Sequence, residues 1–183
     1  MKNAGLFVIL IFRRKVFEKS TCFLLAGLTK GCDCMKLERA EKQHIEKIVS
    51  VSKSAFETDV EVGGAVGDYP PEYDSFCWHE QMRKDGHLFQ AVEEDTVVGG
   101  AILFLSESEE KLYIGRIFID STHHKKGFGI SLMQHVENLY PKVKEINLDT
   151  PIWNNRTNSF YRKLNYIEAK QEDGFVYYRK NLK

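Results

Sequence analysis

"DSTHHKKGFGISLMQHVENLY", Asp120–Tyr140, places two lysines and two glycines directly before a stretch whose apolar residues have helical spacing. The first turn of a helix has backbone N–H groups without internal acceptors, and the helix dipole attracts negative charge there. Gly127 and Gly129 let a ligand approach the backbone, while Lys125 and Lys126 add positive charge. This pattern predicts a phosphate-binding turn, although an ordinary connection between a strand and a helix fits these residues equally well.

The segments around this turn predict a single mixed domain. The strand-like run "KLYIGRIFID" precedes the turn, and "EINLDTP" follows the helix. A short strand, two helices and a hairpin are predicted before them. A helix, "NNRTNSFYRKL", and a hairpin turning at Asp173-Gly174 are predicted after them. The predicted order is β-α-α-β-β-β-α-β-α-β-β, an α/β fold with a mixed sheet and helices on its faces.

Helical periodicity also predicts which side chains are buried. The helix after the glycines is predicted to bury Ile130, Met133, Val136 and Leu139. A shorter helix, Ser75–Lys84, is predicted around Phe76, Trp78 and Met82. Cys77 stands beside Trp78 and is expected to be a small buried side chain rather than a nucleophile acting with His79.

The charges cancel over the 183 residues, so the composition does not indicate a nucleic-acid partner or a membrane surface. Their distribution is uneven, however. Residues 54–82 contain seven acids and no lysine or arginine, whereas residues 111–183 carry 13 basic and seven acidic side chains. These could be two solvated faces of opposite sign, or one region that attracts a cation and another that attracts an anion.

Residues 1–34 predict an N-terminal extension rather than part of the fold. Their two apolar runs, Gly5–Phe12 and Cys22–Leu28, are each shorter than the roughly 20 residues of a membrane-spanning helix. A peripheral membrane anchor remains an alternative. Lys30-Gly31 can be encoded as a ribosome-binding sequence, so we expect translation to start at Met35. The four cysteines do not form a disulfide framework, which favours the cytoplasm.

Two motifs together resemble a known family. The patterns G-x-x-x-x-G-K-[ST] and G-x-G-x-x-G are absent, with Leu132 standing where the third glycine of the latter belongs. "IFIDSTHHKKGFGISLM" instead resembles the Q/R-x-x-G-x-G/A motif that binds acetyl-CoA in the GNAT superfamily of N-acetyltransferases. "NNRTNSFYRKLNY" is similar to that family's N-x-x-A-x-x-F-Y-x-K-x-G-F segment, with Asn154 and Tyr161 on its Asn and Tyr. The similarity covers residues 35–183 and implies a mostly antiparallel central sheet flanked by helices.

The resemblance implies a binding site for acetyl-CoA as co-substrate. Its residues would be Ile117, Phe118, Ile119, His124, Lys125, Lys126, Gly127, Phe128, Gly129, Ile130 and Asn154. His124 departs from the usual Gln or Arg, so its phosphate contact should weaken as the imidazole loses its proton. Thr157 replaces an Ala, and Asn165 replaces a Gly. Neither change removes a group that the chemistry needs.

In the family, the tyrosine at the position of Tyr161 is the general acid that protonates the leaving thiolate. Simple packing against Phe160 is the alternative. A backbone N–H in 117–119 could hold the oxyanion. The general base is not identified by the sequence, which offers Glu57, Asp59, Glu61, Glu109, Glu110 and Asp149.

The sequence therefore predicts a GNAT-like domain at 35–183 that acetylates a primary amine by direct attack on acetyl-CoA. The alternative is a CoA-binding sensor or interaction module without catalysis. We expect a cationic small-molecule or peptide acceptor, because the acid-rich residues 54–82 lie where the family binds acceptors. We expect no metal, no nucleic acid and no stable membrane insertion, and the chain to be a monomer or a homodimer in the cytoplasm.

Overall fold

The computed structural model describes residues 35–182, so the predictions for residues 1–34 lie outside it. Seven strands and four helices follow one another in the predicted order. They are β1 (Lys36–Arg39), α1 (Ile45–Phe56), α2 (Phe76–Lys84), β2 (Leu88–Glu93), β3 (Thr96–Leu105), β4 (Lys111–Ile119), α3 (Phe128–Asn138), β5 (Glu145–Pro151), α4 (Asn155–Lys163), β6 (Ile167–Glu172) and β7 (Phe175–Asn181). A 3-10 segment, Glu57–Val62, extends α1. The order predicted from periodicity is confirmed.

The strands form one sheet in the order β1-β2-β3-β4-β5-β7-β6. The pairs are antiparallel except β4 with β5, which run parallel. A parallel pair needs a crossover rather than a tight turn, and α3 provides it. The predicted mixed, mostly antiparallel sheet is therefore confirmed. The crossover also places the glycine-containing turn at the carboxyl end of β4.

Each face of the sheet is covered by its own pair of helices. Helices α3 and α4 bury residues such as Leu132 and Tyr161 against one cluster that includes Ile146 and Leu148 of β5. Helix α1 buries Ile48 on the other face, in a second cluster to which Trp78 and Met82 of α2 are added. We call these the α3/α4 face and the α1/α2 face.

Three predictions about burial are wrong. Ile130 is 46% exposed, because α3 buries Phe128 and Leu132 together with Met133 and Val136, the two residues of the predicted stripe that are buried as expected. Phe76 is 48% exposed, and the buried residue of α2 is His79, whose Nδ1 donates to the Ser75 carbonyl oxygen at 2.8 Å. Cys77 is exposed rather than buried. In each case a neighbouring position of the helix faces the sheet.

Gly99→Ala is expected to destabilise the protein by about 1–3 kcal/mol, because small-to-large changes in packed regions force shifts. A Cβ on Gly99 would lie 2.6 Å from the Phe118 carbonyl oxygen, which belongs to the backbone and cannot rotate away. Thermal unfolding measures the change. Gly129→Ala is the control, since its Cβ would meet only the rim of the Phe160 ring at 3.4 Å. Equal destabilisation by both substitutions would contradict this explanation.

Candidate active site

Strands β4 and β5 lie side by side for only part of their length and then separate. Their parallel pairing ends with Ile114 opposite Leu148. Beyond that point β4 stays paired with β3, and β5 stays paired with β7, to the ends of the strands. Residues 115–119 and 149–151 therefore form the two arms of an opening in the sheet, which we call the fork.

A bulge at Gly115 lies where the fork opens. Ile114 is opposite Leu103 and Arg116 is opposite Ile102, so Gly115 has no partner residue on β3. A bulge bends its strand and increases the local twist, which accounts for the separation of β4 from β5. A Cβ on residue 115 would lie 2.7 Å from an aromatic ring of β3, so this position has no room for a side chain.

Ile117 and Ile119 turn their peptide groups toward the fork. The N–H of Asp120 donates to the Val98 carbonyl oxygen of β3 at 2.8 Å. Because backbone groups alternate in direction along a strand, those of Ile117 and Ile119 point away from β3. The Ile119 carbonyl oxygen accepts a hydrogen bond from Nε2 of His124 at 2.8 Å. The Ile117 peptide thus faces the fork two residues beyond the bulge.

The turn between β4 and α3, residues 124–129, has an open and positively charged surface. Lys125, Lys126 and Gly127 are exposed. Helical hydrogen bonding starts at the Gly127 carbonyl oxygen, which accepts from the N–H groups of Ile130 and Ser131. The N–H groups before them are the ones that a helix start leaves without internal acceptors. This geometry suits an anion at the start of α3.

The two glycines of this turn differ in their surroundings. Gly127 has φ of +92°, a left-handed conformation, and a Cβ on it would meet nothing within 4 Å. Gly129 faces α4, where a Cβ would lie 3.4 Å from the Phe160 ring. Gly127 therefore provides both the backbone conformation and the open space expected of a phosphate-binding position. Gly129 also lets α3 lie close to α4, a packing role that the sequence did not suggest.

Asn154 is 2% exposed and forms the N-cap of α4. Its side-chain oxygen accepts from the Thr157 N–H at 3.1 Å, and its Nδ2 donates to Asp59 at 3.1 Å. Arg156 donates to the same Asp59 oxygen at 2.6 Å. Burial raises the pKa of Asp59, although Arg156, Asn154 and the nearby charge of His124 all favour its ionised form. Asp59 thus joins the 3-10 segment after α1 to the start of α4, close to the glycine-containing turn.

Tyr161 of α4 is 8% exposed and lies beside the aromatic rings of Phe160, Tyr166 and Tyr178. Burial raises the pKa of its hydroxyl well above the ordinary tyrosine value, and the negative charge of Asp149 raises it further. The hydroxyl therefore stays protonated at neutral pH and can donate a proton. Packing and proton donation, the two alternatives for this residue, are compatible in this position.

Asp149 is the candidate base that lies on the fork itself. It follows Leu148, the last residue of β5 that pairs with β4, and the Tyr113 hydroxyl donates a hydrogen bond to its carboxylate. Asp59 is held by Arg156 and Asn154, as described above. The other candidates lie away from the fork. Glu57 is 3.8 Å from Lys53, and Glu61 is exposed on the 3-10 segment. Before β4 begins, Glu109 pairs with Lys142 and Glu110 pairs with Lys144.

Two side chains near the fork were missed by the sequence analysis, namely Tyr113 and Arg116 of β4. Tyr113 is 40% exposed and holds Asp149, and burial together with that hydrogen bond raises the pKa of its hydroxyl. The Arg116 guanidinium carbon lies 4.1 Å from the ring centre of Trp78. Trp78 thus packs partly against the core, as expected, and partly against this cation. A tyrosine and an arginine within an apolar strand were the only available signal.

Within residues 35–182, no group of three or more histidine, cysteine or acidic side chains is placed to hold a metal ion. No helix of that region is long and apolar enough to cross a bilayer.

Strand β4 thus opens into the fork and then leads into a turn that suits an anion, and the buried Tyr161 hydroxyl lies near Asp149 on the other arm of the fork. The sequence model described as the acetyltransferase (GNAT) family matches residues 45–166. The chain belongs to the GNAT acetyltransferase family. Acetyl transfer from acetyl-CoA is the general activity of these proteins. Comparison with curated proteins gives no significant match.

Solved GNAT structures share the fold at low sequence identity. The PaiA N-acetyltransferase of Thermoplasma acidophilum, determined in complex with coenzyme A, is 16% identical with a TM-score of 0.69, covering 81% of this chain and 99% of that one. A GNAT acetyltransferase of Streptococcus agalactiae is 17% identical with a TM-score of 0.72 and coverages of 81% and 96%. The ribosomal-protein-S18-alanine N-acetyltransferase of Escherichia coli is 15% identical with a TM-score of 0.60 and coverages of 80% and 93%.

Proposed function

We propose that the chain transfers an acetyl group from acetyl-CoA to a primary amine by direct attack on the thioester. The observation that carries this proposal is the position of the fork. It lies on the strand that ends in the glycine-containing turn, so one extended molecule could place its phosphates at α3 and its thioester between β4 and β5. Tyr161 is buried beside the fork, close enough to Asp149 for the charge of that carboxylate to raise the pKa of its hydroxyl.

The open turn supports binding of the CoA pyrophosphate by residues 124–129, with Lys125 and Lys126 supplying charge. The arm 117–119 would pair its free backbone groups with the pantetheine chain, and the exposed side chain of Ile130 would lie beside the ligand. Two predicted contacts need a rearrangement. His124 already donates to Ile119 through Nε2, and Asn154 already bonds Asp59 and the α4 backbone. We keep both residues as proposed ligands of CoA, and each would have to exchange one of these hydrogen bonds for a contact with the ligand.

The residues of the fork supply the groups that acyl transfer requires. The Ile117 N–H would stabilise the oxyanion that forms on the thioester carbonyl. Asp149 would take a proton from the acceptor's ammonium group, leaving the neutral amine that attacks. Tyr161 would give its proton to the thiolate as the carbon–sulfur bond breaks, and the second proton, which the nitrogen loses as the amide forms, would restore the phenol. This assignment makes Asp149 the proton acceptor among the six carboxylates offered by the sequence.

The GNAT domain is proposed to span 35–183, preceded by the extension 1–34, and to work in the cytoplasm as a monomer or homodimer. The acceptor is an amine of a small molecule or a peptide. The E. coli relative is named for an alanine of a ribosomal protein, which keeps peptide amines among the candidates.

The direct test is release of CoA thiol from acetyl-CoA in the presence of polyamines, aminoglycosides, amino acids or peptides. Thermal unfolding with saturating acetyl-CoA is measured in parallel, because a ligand of the folded state raises the melting temperature. Binding together with amine-dependent thiol release supports the proposal. Binding without turnover on any amine would favour the non-catalytic CoA-binding module, and absence of binding would contradict both readings.

A further inference from the structure

Arg116 lies next to the proposed reaction centre, on the side of the sheet opposite α3 and α4. It directly precedes Ile117, whose peptide faces the fork. The contact between its guanidinium and Trp78 of α2 places its side chain on the α1/α2 face. Asp149 points to the same face, because its neighbour Leu148 belongs to the cluster on the α3/α4 face and successive side chains of a strand point to opposite faces. A cation and a carboxylate thus stand on the two arms of the fork, on one face of the sheet.

The Arg116 guanidinium has no carboxylate partner among the described residues. None of the ion pairs within residues 35–182 involves it, and its Nη2 donates only to the carbonyl oxygen of Pro71. Its Nη1 is buried without a hydrogen-bond partner. Burial lowers the pKa of Arg116 to about 10, and the more distant Glu72 offsets this only in part. Charged groups buried in folded proteins are normally paired or hydrogen-bonded, so the unpartnered Nη1 favours an anionic ligand here.

The geometry of the guanidinium indicates which kind of ligand Arg116 would bind. A planar guanidinium presents parallel N–H groups that match the two oxygens of a carboxylate, and stacking on an aromatic ring holds that plane in place. Trp78 provides the stacking surface at 4.1 Å. An ammonium group would be repelled here, so Arg116 does not suit an acceptor that carries only positive charges.

We propose that Arg116 binds the carboxylate of the acceptor, and that the acceptor is an amino acid or another amine bearing a carboxylate. This inference rests on the proposed acetyl transfer. The ammonium end of such a molecule would lie at Asp149 while its carboxylate lies at Arg116. The acceptor would remain cationic at its amine, as the sequence suggested, but would not be a simple polyamine.

The acid-rich residues 54–82 agree with this narrower class. Their charge was the basis for expecting a cationic acceptor, yet several of these acids already have a basic side chain beside them. Asp59 is bound by Arg156, Glu80 by Arg83, and Glu57 lies 3.8 Å from Lys53. Among the remaining acids, Glu72 is near enough to Arg116 for its charge to raise the pKa of the guanidinium.

The experiment compares matched acceptors that differ by one carboxylate. Thiol release is measured with L-lysine against cadaverine, and with ω-amino acids of two to six carbons against alkylamines of equal length. The wild type is expected to prefer at least one acid over its matched amine by about 10-fold or more, the size expected for a charge-assisted hydrogen bond. In Arg116→Gln this preference should fall to about 1, and Arg116→Lys should keep part of it.

Two controls separate binding from folding. Arg179→Gln changes an arginine of β7 whose side chain is 52% exposed, and it should leave the preference intact. The shift in melting temperature caused by acetyl-CoA should be the same in Arg116→Gln and the wild type. If Arg116 only stabilises the Pro71 loop, Arg116→Gln should lower the melting temperature without changing the preference for acids over their matched amines.

Calorimetric titration of the same acids into the protein–CoA complex distinguishes the two proposals. One outcome is that an acid binds in a way that depends on Arg116 while no amine is turned over. That result would support the carboxylate site and contradict the proposed acetyl transfer. The carboxylate site is overturned if no acid is preferred in turnover or binding at any length. It is equally overturned if Arg116→Gln keeps the preference.

Discussion

Gly127→Asp is expected to abolish the rise in melting temperature that acetyl-CoA causes in the wild type. The open space at this position would receive a carboxylate directly where the pyrophosphate is proposed to lie. Two like charges about 4 Å apart repel by roughly 4 kcal/mol at the effective dielectric of a protein surface, which corresponds to a loss of affinity of about 10³-fold. At 100 times its dissociation constant a ligand stabilises by about 2.7 kcal/mol, so the wild-type shift should be roughly 5–10 °C.

Gly127→Asn is the matched control for this substitution. Aspartate and asparagine have almost the same shape, and both tolerate positive φ better than most residues, so both variants meet the same backbone requirement at +92°. Only the charge differs. The asparagine variant should keep a substantial part of the shift caused by acetyl-CoA, and the ligand-free melting temperatures of the two variants should agree closely. If both variants lose the shift equally, the backbone conformation and not the charge is what matters at residue 127.

The order of elements and the glycine-containing turn were predictable because both depend on local sequence. Alternation and helical periodicity show which side of a strand or helix is apolar and packs against the next layer. The positive φ at Gly127 reflects the conformational preference of glycine itself. Burial within a helix was less predictable. Ile130 and Leu132 are both apolar residues at the start of α3, and only the way the helix lies on the sheet decides which of them is covered.

The catalytic surroundings of the fork depend on contacts between residues distant in sequence. Asp149 could not be separated from five other acids until the ends of the β4–β5 pairing were known. Asn154 was assigned to the ligand from its motif, but its contact with Asp59 joins residues 95 positions apart. For Arg116 the residue type was the only signal, and a weak one, because an arginine in a strand is ordinary. What distinguishes it is a buried Nη1 without a hydrogen-bond partner among residues 35–182, which only the packing of α2 and the Pro71 loop reveals.

Tyr161→Phe is expected to lower turnover by about 10²-fold, the range of a single general acid, while leaving the acetyl-CoA shift nearly unchanged. The substitution removes the hydroxyl and keeps the ring that packs against Tyr166 and Tyr178. Because the folded protein raises the pKa of this hydroxyl, the phenol stays protonated above its ordinary value near 10. Wild-type turnover should therefore not fall through ionisation of Tyr161 as the pH rises from 8 to 10.

Tyr166→Phe is the control that separates proton donation from packing. Tyr166 is also buried in the same aromatic group, but its hydroxyl is committed to Glu137 at 3.2 Å on the α3 side. Its loss should lower stability through that hydrogen bond and leave the rate of thiol release per folded molecule close to the wild-type rate. If Tyr161 is the general acid, turnover should fall in Tyr161→Phe but not in Tyr166→Phe. Equal rates in Tyr161→Phe and the wild type would mean that another group, such as water in the fork, protonates the thiolate.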